Sequence, residues 1–309
     1  MSQRPQTITD MGDGVIRILA PNPSPMTYWG TNCYLLGTGA ERILIDAGPH
    51  DTSHIDAVLA ALPAGARIAA IAITHAHLDH SAGAAGLARA TGATVYAFGD
   101  AAAGRSEVMT RLANDGLTAG GEGVDTAFAP DALLADGDVL RVGDVALRAV
   151  HTPGHMGNHL SFIWGATCFT GDLVMGWSSS LISPPDGDAR AYRDSCTTLL
   201  SLTRSRGLMR LFPAHGAPVT DPVARIEALL AHRTEREAQI LEQLTLGPCD
   251  LNALTRAIYT DLPAQALPYA ARNTLAHLID LTEQKRVSAA PHLNETALFS
   301  IAGPCAQTF

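Results

Sequence analysis

Lysine is nearly missing from this sequence. Lys285 is the single lysine in 309 residues, and every other basic side chain is an arginine or a histidine. With 21 Lys and Arg against 30 Asp and Glu, the formal net charge is −9. Such a balance favours solubility and repels polyanions on average, so it disfavours a nucleic-acid partner without excluding one. Aromatic residues are also scarce, at 5%, while Ala and Gly are plentiful, which implies tight packing of small side chains. The five cysteines, Cys33, Cys168, Cys196, Cys249 and Cys305, form no C-x-x-C pair. An odd, unpaired set argues against a disulfide framework and against a cysteine-based zinc site. It suits buried, reduced thiols in a cytoplasmic protein. No apolar run follows Met1-Ser2-Gln3-Arg4-Pro5, so no signal peptide is expected. Nowhere does the chain approach the roughly 20 consecutive apolar residues of a membrane helix, so no membrane partner is expected.

What the chain does have is apolar residues, 47% of the total, enough for a sizeable core. Short apolar runs between Gly-containing turns predict strands over residues 14–19, 32–37, 42–48, 68–73 and 94–97. Further strands are expected at 139–142, 145–150, 159–164 and 167–170. Helices are predicted over 53–62 and 81–91. The span 99–135 shows no strand pattern, and Gly120-Gly121-Glu122-Gly123 reads as loop. Residues up to about 12 read as irregular. Two strand-rich halves separated by helices predict an αβ/βα sandwich, an α/β fold with helices outside two packed sheets.

Beyond residue 215 the pattern changes. A long amphipathic helix is expected over 222–246, then a short one capped by Asp250 and ending near Ile258, then a third over 267–284. A two-stranded hairpin with its turn at Asn294-Glu295 closes the chain. Helix, helix, helix, hairpin is the order of a winged helix. Two domains are therefore expected, 1–221 and 222–309.

The chemistry concentrates in Thr74-His75-Ala76-His77-Leu78-Asp79-His80, directly after a buried strand. His75 and His77 alternate at the strand end, so both imidazoles can converge on one point. Asp79 and His80 follow in the turn that opens a helix and can serve a second point nearby. Imidazole and carboxylate are the donors expected for Zn²⁺, with Fe and Mn as competitors. Three more candidates follow strands: His155 in His151-Thr152-Pro153-Gly154-His155, Asp172 in Thr170-Gly171-Asp172, and His215 in Phe212-Pro213-Ala214-His215-Gly216. Loops at strand ends gather ligands over a rigid scaffold. His54, His232, His277 and His292 carry no such context and read as non-ligands; His151 reads as structural.

These motifs in this order resemble the metallo-β-lactamase superfamily over about residues 14–220. The resemblance implies that His75, His77 and His155 hold one metal, that Asp79, His80 and His215 hold the other, and that Asp172 bridges them. Asp46, in Leu44-Ile45-Asp46-Ala47-Gly48, matches the first family motif and is expected to orient the ligands from behind. The segments Asn22-Pro23-Ser24-Pro25-Met26-Thr27 and Gly30-Thr31-Asn32, residues 151–160 and the trailing winged helix resemble one branch more narrowly. That branch is named for the animal β-lactamase-like protein 2 and includes an endoribonuclease and polyketide-pathway thioesterases.

The implied activity is hydrolysis by a metal-bridging hydroxide, with Asp79 or a metal-bound water or, as a weaker candidate, His159 as the proton donor. Trp29, Thr31 and Trp177, in loops beside the motifs, are expected to line the substrate pocket. A small ester or thioester is the favoured substrate class. The same ligands would serve an endoribonuclease or phosphodiesterase, or a lactonase or β-lactamase. A winged helix reading DNA beside a vestigial metal site is opposed by the complete ligand set. A nuclease needs a basic track to neutralise phosphates, whereas the third tail helix and its end mix Arg272, Lys285 and Arg286 with Asp280 and Glu283. The tail is therefore expected to pack or to shape the pocket, and a homo-oligomer is compatible with all of this.

Overall fold

In the computed structural model, residues 4–118 and 123–303 are described. The loop expected at 120–123 falls mostly outside them, as do Cys305 and the first three residues. The fold is built on two sheets. The first holds β1 (Ile8–Asp10), β2 (Val15–Leu19), β3 (Asn32–Leu36), β4 (Glu41–Ile45), β5 (Arg67–Ala72), β6 (Thr94–Ala97) and β7 (Ala132–Leu133), in that spatial order. Pairing is antiparallel from β1 to β4 and parallel from β4 to β7. The second sheet contains β8 (Val139–Val142), β9 (Val145–His151), β10 (Leu160–Trp164), β11 (Thr167–Gly171) and β12 (Arg210–Pro213). It is antiparallel except for the parallel β11–β12 pair.

Successive strand residues point to opposite faces, and here both faces are covered. In β3, Tyr34 and Leu36 enter the core between the sheets, while Cys33 and Leu35 turn outward to the helices. In β11 and β12, Phe169 and Phe212 face the first sheet, while Cys168 and Leu211 face away from it. The outer face of the first sheet packs against α1 (Thr52–Ala60) and α3 (Ala84–Thr91) through Val58 and Leu87. That of the second packs against α5 (Ala189–Arg206) and α6 (Pro222–Thr245) through Tyr192, Leu199, Ile226 and Leu229. Helix, sheet, sheet, helix is the expected sandwich.

Among the elements that were not anticipated are β1, α4 (Glu107–Asn114) and α5. β1 adds an edge strand to a segment expected to be irregular. α4 lies in the span without a strand pattern, capped by Ser106, whose hydroxyl accepts from Met109 N. α5 is held by Asp188, whose carboxylate accepts from Arg190 N and Ala191 N, and ends on left-handed Gly207. The helix expected over 81–91 starts only at Ala84, as α3, and a separate short helix precedes it. α2 (Leu78–Ser81) stops before Gly83, whose amide donates to Gly48 O. A Cβ on Gly83 would lie 2.4 Å from Ala47 O, so the close approach requires glycine.

The tail contains α7 (Leu251–Ile258), α8 (Leu267–Glu283) and the hairpin β14 (Val287–Ala290) and β15 (Leu298–Ile301). β13 (Cys249–Asp250) pairs with β15 as a third strand. α6 joins the two halves. Ile226 and Leu229 near its start belong to the sandwich core, while Ile240 and Leu244 near its end pack with Leu254, Leu278 and Phe299 of the tail. Each fully buried Leu or Ile in such a seam contributes about 1.5–3 kcal/mol. α4 packs Met109 and Leu112 into the same tail cluster.

Candidate metal centre

Strand ends meet at one edge of the sandwich. β4 runs into Asp46, β5 into His75 and His77, β9 into the loop of His155, β11 into Asp172 and β12 into His215. Nε2 of His75 lies 2.9 Å, and Nε2 of His155 3.0 Å, from Nδ1 of His77. Nε2 of His215 lies 3.4 Å from Asp79 Oδ2 and 3.3 Å from Asp172 Oδ1. Nε2 of His80 lies 3.4 Å from Asp79 Oδ2. Asp172 stands between the two groups, with Oδ2 3.6 Å from His155 Nε2 and 3.8 Å from His80 Nε2. Three sets of donors are each mutually within 4.8 Å: His75, His77 and His155; Asp79, His80 and His215; and His75, His80 and Asp172.

Four of the imidazoles have their other nitrogen anchored. Nδ1 of His155 donates to Leu181 O at 2.7 Å, and Nδ1 of His215 faces Gly30 O at 3.3 Å. Nδ1 of His80 meets Asp46 Oδ2 at 2.9 Å, and Nδ1 of His75 meets Thr74 Oγ1 at 3.0 Å. Each Nε2 is thereby aimed inward. Asp46 also accepts from Thr74 N and Thr74 Oγ1, and it does so from a left-handed backbone, φ 57°. That conformation costs about 1–3 kcal/mol in a non-glycine residue and persists only where the surroundings fix it.

The donor set fits a metal pair. His80 Nε2 and Asp172 Oδ1 are buried with no hydrogen-bond partner among the described residues. Orphaned buried polar atoms cost about 1–3 kcal/mol each, and a cation between them would satisfy both. Burial first, then the adjacent imidazoles, holds His75 well below its ordinary pKa and His77 at about 3, so both are neutral, the ligand form. Burial opposes charge on His80 and His215 as well, but Asp79 and Asp172 outweigh it and raise both. The second cluster is thus strongly cation-seeking.

Thr31 does not line an opening. It is fully buried, accepts from Asn22 Nδ2 and donates to Asp79 Oδ2 at 2.8 Å. His159 is also fully buried, between Thr152 Oγ1 at Nδ1 and the Asp172 amide, which donates to Nε2 at 3.2 Å. With both nitrogens occupied and its pKa held well down by burial, this ring positions Asp172 and is not placed to give up a proton. Trp29 and Trp177 do reach the surface beside the site. With Tyr28, Thr220 and Arg225 they line a cavity of about 560 Å³. Trp177 stacks on Tyr28 and packs over Gly216, next to His215. His54 meets Cys33 Sγ at 3.3 Å behind the site, and His232, His277 and His292 lie outside the donor sets. Sequence reasoning missed Thr74, Thr152, Ser180, Arg233 and Asn273, which bear on the site only through hydrogen bonds.

A family model described as "Metallo-beta-lactamase superfamily" matches residues 26–215, and one described as "Beta-lactamase associated winged helix domain" matches residues 251–292. The chain is 32% identical over 300 residues to a protein named Beta-lactamase-like protein 2 homolog from Drosophila melanogaster, covering 93% of this chain and 94% of that one. It is 29% identical over 242 residues to a protein from Cryptosporiopsis named atrochrysone carboxyl ACP thioesterase, covering 77% of this chain and 65% of the other. A β-lactamase domain protein from Burkholderia ambifaria shares the fold with a TM-score of 0.77 at 20% identity, covering 97% and 96% of the two chains. A metallo-β-lactamase family protein from Thermus thermophilus superposes with a TM-score of 0.73 at 24% identity, covering 94% and 100%.

Proposed function

The chain belongs to the metallo-β-lactamase superfamily of metal-dependent hydrolases, and on that premise we propose that it is a binuclear hydrolase of a small ester or thioester. In this reading His75, His77 and His155 hold one ion, Asp79, His80 and His215 the other, and Asp172 lies between, with zinc the expected metal and iron or manganese the competitors. The observation that carries it is the convergence of inward-aimed imidazoles on buried His80 Nε2 and Asp172 Oδ1, which have no hydrogen-bond partner among the described residues. When bound, two divalent ions supply a water nucleophile activated near neutral pH and Lewis acidity toward a carbonyl or phosphoryl oxygen.

The protein's own part is orientation. Thr31 fixes the carboxylate of Asp79, Asp46 fixes the ring of His80, and His159 fixes the backbone of Asp172. Asp79 stays a candidate for proton transfer beside a metal-bound water, because it is partly exposed, with 26% of its side chain accessible; held ionised by His80 and His215, it has to take up a proton before it can pass one to the leaving group. Trp29 and Trp177 form an apolar wall suited to an acyl group.

The tail supports a small substrate over RNA. Asp280 pairs with Arg190 and Arg193, Glu283 with Arg111 and Arg286 with Glu237. Asp280, Glu283 and Arg286 are thus each offset by an opposite charge of the same chain, and Arg272 lies over Tyr269. One relative is named as an ACP thioesterase, which supports a thioester. We place the domain division at 221/222, where Asp221 caps α6. Cys33, Cys168 and Cys196 are buried and unpaired, which supports a cytoplasmic setting; among the described residues no helix is long and apolar enough to cross a membrane.

The test is a hydrolysis screen of metal-loaded protein with acyl-CoA and glutathione thioesters, lactones, a nitrocefin-type β-lactam, bis-p-nitrophenyl phosphate and single-stranded RNA. At about 0.15 M salt, thioester or ester turnover that is lost with chelator is expected. Efficient RNA cleavage with a steep salt dependence and no acyl turnover would overturn the reading.

A further inference from the structure

The metal-centre loop 180–182 is held from the tail. Ile182 N donates to Asn273 Oδ1 of α8 at 3.0 Å. The same oxygen accepts from Arg233 Nη1 of α6 at 3.1 Å. Arg233 Nη2 donates to Ser180 O. Between these two anchors lies Leu181, whose carbonyl accepts from Nδ1 of His155. Ser180 Oγ donates back to Asp172 O and Leu173 O. Two tail-side residues thus fix a three-residue segment that touches two members of the donor set.

Arg233 is spent on this contact at some cost. Its guanidinium is fully buried, with its Cζ 4.9 Å from the centre of the Tyr192 ring. Among the described residues its Nε finds no hydrogen-bond partner. A buried charge met by a carbonyl, an amide oxygen and a ring is an expensive way to hold helices together, because apolar packing would serve packing alone. What the guanidinium adds is direction. It pins Ser180 O and Asn273 Oδ1 together, and so sets the orientation of the Leu181 carbonyl between them. That carbonyl selects the His155 tautomer with Nδ1 protonated, leaving Nε2 facing His77.

We propose that Asn273 and Arg233 are positioning residues for His155, so that the winged-helix tail sets the metal affinity of the His75, His77 and His155 cluster. The proposal rests on the reading of His155 as a metal ligand. It is tested by zinc titration against a chromophoric chelator, with cobalt(II) absorption as a probe of ligand geometry, on full-length protein. Asn273→Ala should weaken one of the two zinc equivalents about 10–100-fold, the usual cost of losing an outer partner of a ligand, and alter the cobalt spectrum. Asn273→Asp keeps an oxygen acceptor for Ile182 and Arg233 and should restore both to near wild type. A purely structural role for Asn273 would lower the melting temperature without this selectivity or rescue.

Should the alanine variant not fold, Arg233→Lys replaces it, because a lysine cannot span both acceptors. It should weaken the same equivalent several-fold. Wild-type affinity for both equivalents in Asn273→Ala or its replacement, or an Asn273→Asp protein as weak as the alanine variant, would overturn the inference. A wild-type protein that takes up no zinc or cobalt overturns the hydrolase reading instead.

Discussion

Thr31 Oγ1 donates to Asp79 Oδ2 at 2.8 Å, joining the turn before β3 to the turn that opens α2. The hydroxyl also accepts from Asn22 Nδ2, so it has one direction left in which to donate. The carboxylate it fixes lies 3.4 Å from both His80 and His215. Thr31→Val keeps the shape and deletes the donor. It should lower metal affinity or kcat/KM about 10–100-fold, and Thr31→Ser should recover most of the loss. Competition titration beside steady-state kinetics decides; a valine variant with full metal content and unchanged kinetics would remove Thr31 from the centre.

His159 makes a different prediction, because its two nitrogens are already committed to Thr152 and to the Asp172 amide. Its replacement by Gln should reduce kcat/KM about 10–100-fold through misplacement of Asp172. The pH–rate profile should keep its shape, since no proton passes through the ring. Disappearance of the acid or basic limb in His159→Gln would restore this residue as a proton donor.

The candidate donors that the structure gathers were legible, as was Asp46 behind them, but most of their other supports were not, for a physical reason. His75, His77, Asp79 and His80 announce themselves because alternation and a following turn act over adjacent residues. His155, Asp172 and His215 announce themselves because each follows an apolar run. Thr31 sits in an equally visible segment, yet its side chain finds Asp79 only through the bridge that pairs Thr31 with His215. Asn273 meets Ile182 across 91 positions of sequence, a separation at which no local pattern speaks. α5 is the opposite case, a helix that was not anticipated although its signal is local: Asp188 and Gly207 frame it in the sequence, with Tyr192, Cys196, Leu199 and Thr203 buried at helical spacing.

Trp177 tests the pocket. It packs over Gly216, stacks on Tyr28 at 4.9 Å and remains 37% exposed. Trp177→Ala should raise KM for an acyl substrate several-fold, or shift preference across the screen, with metal content unchanged. Identical kinetics on every substrate in a folded, metal-loaded variant would show that the ring serves packing alone.

Acid stability tests the joint between the sheets. Thr38 N and Oγ1 donate to Asp144 at 2.9 and 2.6 Å, and Gly39 N at 3.3 Å, tying the β3–β4 turn to the β8–β9 turn. These bonds, those of Thr38 foremost, lower the Asp144 pKa to about 2. A carboxylate depressed on folding adds stability above its unfolded pKa of about 3.9 and loses it as pH falls through the folded value. Asp144→Ala should therefore unfold at lower denaturant than wild type at pH 6, and the gap should close as pH falls from about 4 toward 2. A gap independent of pH would assign the loss to packing.

The last prediction concerns how the tail is held. Asp280 of α8 accepts from Arg190 Nε at 2.9 Å and pairs with Arg193, both on α5. The carboxylate side chain is 4% exposed, while Arg190 is 53% exposed and Arg193 21%. Breaking a fully buried pair costs about 3–5 kcal/mol, and a surface pair about 0–1. With one partner in solvent, Asp280→Ala should cost about 1–3 kcal/mol, between those limits. At about 2–4 °C per kcal/mol, the melting temperature should fall by roughly 2–12 °C. The route matters as much as the size. α8 carries both Asp280 and Asn273, seven positions or two turns apart, so loosening the ion pair should also weaken the zinc equivalent assigned to His155, by less than Asn273→Ala does. Metal affinity equal to wild type beside a lowered melting temperature would separate the two, leaving Asp280 as a fastening and Asn273 alone as the contact that reaches the centre.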